Sequence, residues 1–361
     1  MSDAGLEQQR FDSACYRQMS GDLRGARGDF LALAADLAGR YPAVSAQHDT
    51  GDICDDIDFS LAAIQERLGH AGLAAGYAAR GNRRRRQRAL AAGIRPASDI
   101  RHLAAMAATL APDAIAHWQR LPMNLEQPIF LLGIPQSGHQ ALHTHLAQHR
   151  DVRLVAGQDL LAESAAQLTA HGDDLATALG TLSPQFADQL RTDYLARRAA
   201  RAGAPDTAAV IIDSGPHNLP YLGLIARLFP NARLLITVRH PLDLCLSQWM
   251  AATPIDEVGI HFTSLAETAA LYHRWMLIWA AAEKVLPINV HNFNREEALH
   301  EPAAAFAKLY QFLALRADPA VPPRLPHDPF DPPGRWRRQR QLLAPYRHKL
   351  SLWAEDLGFA V

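Results

Sequence analysis

Cysteine is scarce in this chain, and long apolar runs and excess charge are missing. The 361 residues include three cysteines, Cys15, Cys54 and Cys245, whose wide spacing fits neither a disulfide framework nor a metal site. No apolar run approaches the roughly 20 residues that a membrane helix requires. The first residues lack the basic and then apolar pattern of a signal peptide. These absences predict a cytoplasmic protein without membrane contact.

Net charge gives no global argument for a nucleic-acid or acidic-membrane partner, which would need a local patch of charge. The formal net charge at pH 7 is −1 and the isoelectric point is near 7.0. A near-neutral chain has no global attraction for nucleic acid, so we expect no nucleic-acid partner. The hydrophobic share of 48% and the charged share of 20% predict a soluble globular protein, and 361 residues are enough for one large or two ordinary domains.

The first third of the chain has helical patterns and few strand formers. Asp29–Arg40 is compatible with an amphipathic helix that Tyr41 and Pro42 end. Phe59–Gly69 followed by Leu73–Asn82 predicts a helical hairpin, whose sequence resembles the end of one tetratricopeptide repeat. We therefore predict three parts: an N-terminal segment (1–50), an α-helical region with the tetratricopeptide-like hairpin (51–125), and an α/β domain (126–361).

Six arginines form the one conspicuous charge run: Arg80, Arg83, Arg84, Arg85, Arg86 and Arg88. One interpretation is a solvated helix end, stabilised by the negative end of the helix dipole. The other is a docking patch, in which the helical region and Arg83–Arg86 bind an acidic protein partner. The sequence leaves both open.

From Pro128 onward, apolar strands alternate with helices. Strands are predicted at 129–132, 210–213 and 233–239, helices at 219–229 and 265–286, and a loop at 318–334. Trp275 and Trp279, one turn apart, are expected in the core. This alternation predicts an α/β fold with a mostly parallel central sheet flanked by helices.

A glycine loop follows the first of these strands. Gly133 and Gly138 have the spacing of a phosphate loop, and a strand, loop and helix in this order bind phosphate or sulfate at the helix N-terminus. His139 and Gln140 stand where a nucleoside triphosphatase needs Lys and Ser or Thr. By itself the loop is compatible with anion binding and equally with a plain strand-to-helix turn, and it argues against a magnesium-dependent ATPase or GTPase.

Pro128–Gln140 resembles the 5′-phosphosulfate loop of sulfotransferases that use 3′-phosphoadenosine 5′-phosphosulfate (PAPS). Two further blocks follow in the family's order. Asp213–Asn218, with the helix after it, resembles the tetratricopeptide-type and tyrosylprotein-type branch, and Arg239–Ser247 resembles the 3′-phosphate motif. Gly334–Arg338 is similar, more loosely, to the basic loop that covers the nucleotide. The resemblance implies a P-loop-like sulfotransferase fold over about residues 126–361.

The resemblance also implies a nucleotide site. The 5′ end of PAPS, or of its product PAP, would bind the backbone of Ser137, Gly138, His139 and Gln140. Arg239 and Ser247 would hold the 3′-phosphate through charge-assisted and hydroxyl hydrogen bonds. The reaction itself needs no metal.

The chain departs from the family at three catalytic positions. The arginine of the first loop is Gln136, the lysine of the second block is Ser214, and the glutamate base is Gln158 or, with a one-residue shift, Asp159. Losing one preorganised donor typically lowers a rate ~10²–10³-fold. His139 and His217 lie inside the altered motifs and are the candidates for compensating catalytic residues.

Three interpretations follow. The first is sulfuryl transfer from PAPS to the hydroxyl or amine of a small-molecule or peptide acceptor. The second is a catalytically impaired nucleotide-binding or scaffold protein, which Gln136, Ser214 and Gln158 favour. The third is a transferase that uses a histidine base on another sulfated or phosphorylated donor. The segments expected to shape the acceptor pocket, 159–201 and 253–265, match no motif.

Overall fold

A five-stranded parallel sheet organises one part of the molecule, and a set of helices organises the other. The computed structural model describes residues 3–40, 50–116, 118, 126–155, 160–203, 210–215, 218–286, 289–326 and 328–360. The first of two compact units comprises Met1–Asp99, Pro241–Leu271 and Asp328–Leu352. The second comprises Ile100–His240, Tyr272–His327 and Trp353–Val361. The domain boundaries expected at 50/51 and 125/126 stay a prediction.

Four helices begin the first unit, in the order α1 (Asp3–Met19), α2 (Leu23–Arg40), α3 (Thr50–Arg67) and α4 (Ala71–Ala91). The predicted helix at 29–40 is part of α2, which ends at Arg40. Helices α3 and α4 form the predicted hairpin, and the turn between them contains Gly69 at a φ of +84°. Apolar side chains of α2 and α3, Phe30, Leu33, Leu37, Ile57, Leu61 and Ile64, pack into one buried cluster. The likeness to a tetratricopeptide repeat stays a prediction.

The arginine run lies inside α4, because the helix continues to Ala91 instead of ending near Asn82. The interpretation as a solvated helix end stays a prediction, and Arg88 lies in the last turn of α4. Arg84 donates to Asp55 at 2.9 Å and to Asp58 at 2.6 Å. Arg88 also pairs with Asp55, and Arg80 with Asp58. Since both aspartates are buried, these arginines neutralise carboxylates of α3.

Arg86 also has an acidic partner within the first unit, since it pairs with Glu267 at 2.7 Å. Arg83 is exposed. The expected docking of a protein partner through Arg83–Arg86 stays a prediction.

Helices and strands alternate through much of the remaining chain. The strands are β1 (Ile129–Gly133), β2 (Val152–Val155), β3 (Val210–Asp213), β4 (Arg233–Val238) and β5 (Asn289–Asn294). The helices are α5 (Ala97–Ala108), α6 (Pro112–Ala116), α7 (His139–Leu146), α8 (Leu160–Leu168), α9 (Leu175–Gly180), α10 (Pro184–Ala202), α11 (Leu222–Leu228), α12 (Pro241–Trp249), α13 (Leu265–Val285), α14 (Arg295–His300), α15 (Pro302–Leu313) and α16 (Arg340–Asp356). Short 3₁₀ helices occupy Leu219–Tyr221, Gly259–Thr263 and Arg335–Gln339.

The sheet confirms the predicted α/β class. Its strand order is β2-β3-β1-β4-β5, and every pair is parallel. The chain leaves β1 toward β2 on one side and leaves β4 toward β5 on the other. Neighbouring strands whose connections depart in opposite directions create a crevice at their carboxyl ends, where α/β proteins bind ligands. In this sheet the crevice lies between β1 and β4.

Apolar side chains cover both faces of the sheet. On one face, Leu131 and Leu235 pack with Leu142 of α7 and Phe306 of α15. On the other face, Phe130 meets the ring of Tyr194 from α10 at 6.1 Å between centroids. This burial on both faces is typical of an interior parallel strand, and it holds the carboxyl ends of β1 and β4 on a rigid base.

Other predicted elements are also present. Helix α13 matches the predicted helix at 265–286, and Trp275 and Trp279 are 7% and 5% exposed, as expected of core residues. The described residues of the predicted loop at 318–334 form no helix or strand. No helix in the described ranges combines the length and apolar character needed to cross a bilayer.

Candidate anion-binding site at the carboxyl edge of the sheet

The loop after β1 turns sharply between the strand and α7. Gln136 and Gly138 have φ angles of +69° and +102°, in the left-handed region. A methyl group added to Gly133 would lie 2.2 Å from Thr237 Oγ1 and 2.7 Å from Ser137 Oγ. Glycine at position 133 therefore permits the close approach of the loop to β4.

Ser137 ties the loop to the neighbouring strand. Its hydroxyl lies 2.6 Å from Thr237 Oγ1, and its backbone N–H donates to the Ile134 carbonyl at 3.0 Å. The first N–H groups of a helix have no intrahelical partner. In this structure the N–H of Ser137 is used within the loop, and the N–H groups of Gly138, His139 and Gln140 begin α7.

His139 lies beside the second predicted motif. Its Nε2 atom is 3.5 Å from Ser214 Oγ, at the long end of the hydrogen-bond range. Burial lowers the pKa of His139 to about 4, against a hydrogen bond to the Leu131 backbone that raises it. The imidazole is therefore neutral near pH 7. The structure brings His139 and Ser214 together, but neither carries positive charge there.

Asp213 shapes the start of the second motif. Its Oδ1 accepts from the backbone of Gly215 at 3.0 Å and from Asn218 Nδ2 at 2.9 Å, and its Oδ2 accepts from Tyr194 Oη at 2.5 Å. Burial raises the pKa of Asp213, and these donors oppose that rise. Asp213 and Asn218 therefore fix the backbone that carries Ser214. Pro216 and His217 lie outside the described residues, as does Gln158.

Arg239 follows β4 directly and reaches the loop between β1 and α7. Its side chain is 1% exposed, and its Nη1 atom donates to the Gln136 carbonyl at 3.1 Å. The guanidinium thus holds the loop where φ is positive. Burial raises the pKa of Glu296, and the charge of Arg239 partly opposes that rise.

Ser247, the second residue of the predicted 3′-phosphate pair, lies in α12 of the first unit. Its hydroxyl donates to Asp331 at 2.5 Å and accepts from Arg335 Nη1 at 3.3 Å. The Ser247 proton is therefore engaged by a carboxylate in this structure. The role of Ser247 in holding a phosphate stays a prediction.

The basic segment Gly334–Arg338 belongs to the same unit and is mostly a 3₁₀ turn. Arg335 is buried and pairs with Glu66 of α3 and with Asp331 at 3.0 Å. Trp336 is 2% exposed, and its backbone N–H donates to Asp243 at 2.7 Å. Guanidinium groups lie within 6 Å of its ring centroid, from Arg337, Arg340 and Arg347. Arg335 is thus an internal ion-pair partner, while the other three surround the indole.

One cation beside the loop was not expected from the sequence. Arg295, the first residue of α14, packs against Gly138. The signal that could have found it is a cation immediately after a strand end. However, β5 was not predicted, because its sequence NVHNFN contains few strand formers. Among the described residues, no group of three or more His, Cys, Asp or Glu side chains is placed to hold a metal ion.

A comparison with known proteins gives the family. The model of the "Sulfotransferase family" matches residues 128–319, which is more than half of the 361 residues. The chain belongs to the sulfotransferase family. A curated relative, an uncharacterized protein of Aquifex aeolicus (strain VF5), is 24% identical over 206 residues. That alignment covers 53% of this chain and 26% of the relative, so this chain spans about a quarter of the relative's length.

Solved sulfotransferase structures are similar to this chain, at low sequence identity. The sulfotransferase domain of the curacin biosynthetic pathway is 15% identical with a TM-score of 0.37, over 66% of this chain and 99% of that one. The sulfotransferase domain of the Synechococcus PCC 7002 olefin synthase is 16% identical with a TM-score of 0.42, over 68% and 99%. A sulfotransferase from Alicyclobacillus acidocaldarius is 15% identical with a TM-score of 0.39, over 66% and 98%.

Proposed function

We propose that this chain transfers a sulfuryl group from PAPS to the hydroxyl or amine of an acceptor. The observation that carries the proposal is the loop between β1 and α7, located at the crevice of the sheet and held by Arg239. In this reaction the acceptor atom forms a bond to sulfur, the bond from sulfur to the bridging oxygen breaks, and PAP leaves. The acceptor proton passes to a base.

The geometry of the loop fits the 5′ end of such a nucleotide. Gly138 is the N-cap of α7, and its φ of +102° turns the chain into the helix. A helix N-terminus presents unpaired N–H groups and a partial positive charge, which suit phosphate and sulfate groups. We assign the backbone N–H groups of Gly138, His139 and Gln140 to that end of the nucleotide. Arg239 keeps the loop in this conformation and is proposed to bind the 3′-phosphate.

His139 is the proposed base of this site. A pKa of about 4 leaves its imidazole neutral near pH 7, in the form that accepts a proton, and also makes it a weaker base than an ordinary histidine. The same neutrality means that His139 cannot supply the charge lost at Gln136 and Ser214. His217 remains a second candidate on sequence grounds alone, and the acceptor, a small molecule or a peptide, remains a prediction.

Calorimetric titration of the purified protein with PAP and PAPS tests nucleotide binding. We expect both to bind and Arg239→Ala to weaken binding at least about 10-fold, since a charged hydrogen bond contributes ~1.5–3 kcal/mol. Arg233→Ala is the matched control, because Arg233 lies at the opposite end of the same strand and donates to the Phe312 carbonyl. If wild-type protein binds neither nucleotide, the proposal is wrong.

Transfer itself is tested separately. The protein and PAPS are incubated with hydroxyl-bearing and amine-bearing small molecules and peptides, and sulfated products are sought by mass spectrometry. A product that His139→Gln reduces supports the proposed base. Nucleotide binding without any product across the panel supports the nucleotide-binding scaffold instead.

A further inference from the structure

The phosphate loop has little side-chain charge of its own. Gln136 and Ser214 are neutral in place of the family's arginine and lysine, and His139 is neutral near pH 7. In-line transfer of a charged group depends mainly on positioning and on positive charge around the reacting oxygens. A further cation beside the loop would therefore have a direct chemical role.

Arg295 lies against this loop. A methyl group added to Gly138 would lie 3.2 Å from Arg295 Cδ and 3.4 Å from its Cβ and Cγ. The aliphatic part of the arginine therefore runs alongside the N-cap residue of α7. The guanidinium carbon is two bonds beyond Cδ, so it lies within roughly 6 Å of that methyl position, a distance over which a charge acts strongly on a neighbouring charge. Arg295 itself is buried, with 8% exposure.

The fold fixes this position. Asn294 ends β5 and pairs with Val238 of β4, the residue before Arg239, so the two arginines follow directly from paired strand ends. Asn294 also caps α14, because its side chain accepts from the backbone of Glu297 at 3.1 Å. The start of α14, and with it Arg295, is therefore set by the sheet.

Both arginines act on one carboxylate. Glu296 accepts from the backbone N–H of His240 at 3.2 Å. Arg239 and Arg295 both act electrostatically on Glu296. Glu296 offsets at most one of these two positive charges, which suits a further anion at the start of α7.

We infer that Arg295 binds the 5′-phosphosulfate end of the nucleotide and supplies the positive charge absent at Gln136 and Ser214. This inference rests on the proposed function and adds to it the residue that recognises the transferred group. Arg295 is thus a specificity-determining residue for nucleotides with a charged 5′ group.

Comparing the binding of two nucleotides that differ only at the 5′ end distinguishes recognition of the 5′ group from a general effect on stability. PAP carries 3′- and 5′-phosphates, whereas adenosine 3′-phosphate lacks the 5′ group. We expect Arg295→Gln to weaken PAP binding about 10- to 100-fold and to change adenosine 3′-phosphate binding less than about twofold. Arg150→Gln removes the same charge from an exposed side chain just before β2, at the opposite edge of the sheet, and should change neither.

Each outcome of the titration is decisive. Equal binding of PAP by Arg295→Gln and wild type overturns the inference and leaves the proposed function intact. Equal losses for both nucleotides assign Arg295 a structural role and also overturn it. If wild type fails to bind PAP, the proposed function itself fails. If Arg295→Gln shows no cooperative melting transition, Arg295→Met replaces it, because methionine keeps an unbranched apolar side chain beside Gly138 but removes the charge. An unchanged preference for PAP over adenosine 3′-phosphate in the methionine variant overturns the inference.

Discussion

A single buried histidine can change how the free energy of unfolding depends on pH. His145 is 4% exposed, lies 4.2 Å from the Phe306 ring between centroids, and places Nε2 2.8 Å from Tyr310 Oη. Burial lowers its pKa from 6.5 to about 4, partly offset by a backbone hydrogen bond with Arg324. In the unfolded chain, the imidazole of His145 takes up a proton at a higher pH than it does in the folded chain. His145 therefore lowers stability as the pH falls from 6.5 toward 4.

The first prediction concerns this loss of stability at low pH. His145→Gln removes the titrating group, so its free energy of unfolding should fall less steeply between pH 6.5 and pH 4.5 than that of wild type. The difference should approach about 3 kcal/mol near pH 4, the equivalent of the change in pKa. Urea unfolding across this range measures it. His348→Gln, at an exposed position, is the control. Parallel pH profiles for wild type and His145→Gln contradict the prediction.

The contact between His139 and Ser214 has a consequence for attempts to restore the family's lysine. Ser214 is 1% exposed and lies 3.5 Å from His139, so Ser214→Lys places a long side chain where the imidazole already is. We expect that variant to lose about 1–3 kcal/mol of stability through overpacking. His139→Thr combined with Ser214→Lys should recover part of the loss. Thermal melting of both single variants and the double variant measures their coupling; additive effects argue against a shared space.

The candidate site residues that the sequence predicts are those that belong to motifs. The types and spacing of Gly133, Gly138 and Arg239 are typical of a phosphate loop and a strand end, so the sequence alone points to them. Arg295 belongs to no motif, and its contact with Gly138 depends on the pairing of β4 and β5. The sequence also does not predict the hydrogen bond from the Ser247 hydroxyl to Asp331, because it joins residues far apart in the chain.

At the scale of elements, burial decides which strands the sequence reveals. The predicted strands β1, β3 and β4 are the three interior strands of the sheet, and their apolar runs reflect burial on both faces. The missed strands β2 and β5 are the two edges. Their burial patterns contain partly exposed positions, and each includes a polar or charged residue such as Arg153 or His291. An edge strand lacks the continuous apolar run that reveals an interior strand.

Helix α4 shows an element held by charge as well as by apolar packing. Arg84→Gln should lower the free energy of unfolding by about 1–3 kcal/mol, because Asp55 and Asp58 are buried and would each lose a charged donor. Arg83→Gln should change it by less than about 0.5 kcal/mol, since that side chain is exposed. Urea unfolding followed by circular dichroism compares the two. Similar losses for both variants would mean that the exposed arginine also stabilises the helix.

At the scale of the whole molecule, the first unit joins distant parts of the chain. Glu66 and Arg335 are 4% and 6% exposed and form an ion pair across 269 positions of sequence. Removing one partner of a buried pair typically costs about 3–5 kcal/mol. We expect Glu66→Gln to reduce hydrogen-exchange protection in α3 and in 335–349 together. Glu355→Gln, at an exposed position, is the control. Lost protection in α3 alone would show that these segments are not coupled.

The interleaved first unit also has a consequence for synthesis on the ribosome. Residues 1–99 emerge first, but the unit that contains them is completed only by Pro241–Leu271 and Asp328–Leu352. At roughly 5–20 residues per second, the early helices wait on the order of ten seconds or more for their last partners. During that interval, surfaces that those segments later cover stay exposed to water. Translation rate and chaperone binding to the nascent chain are therefore expected to influence the yield of folded protein more than they would for units built from consecutive residues.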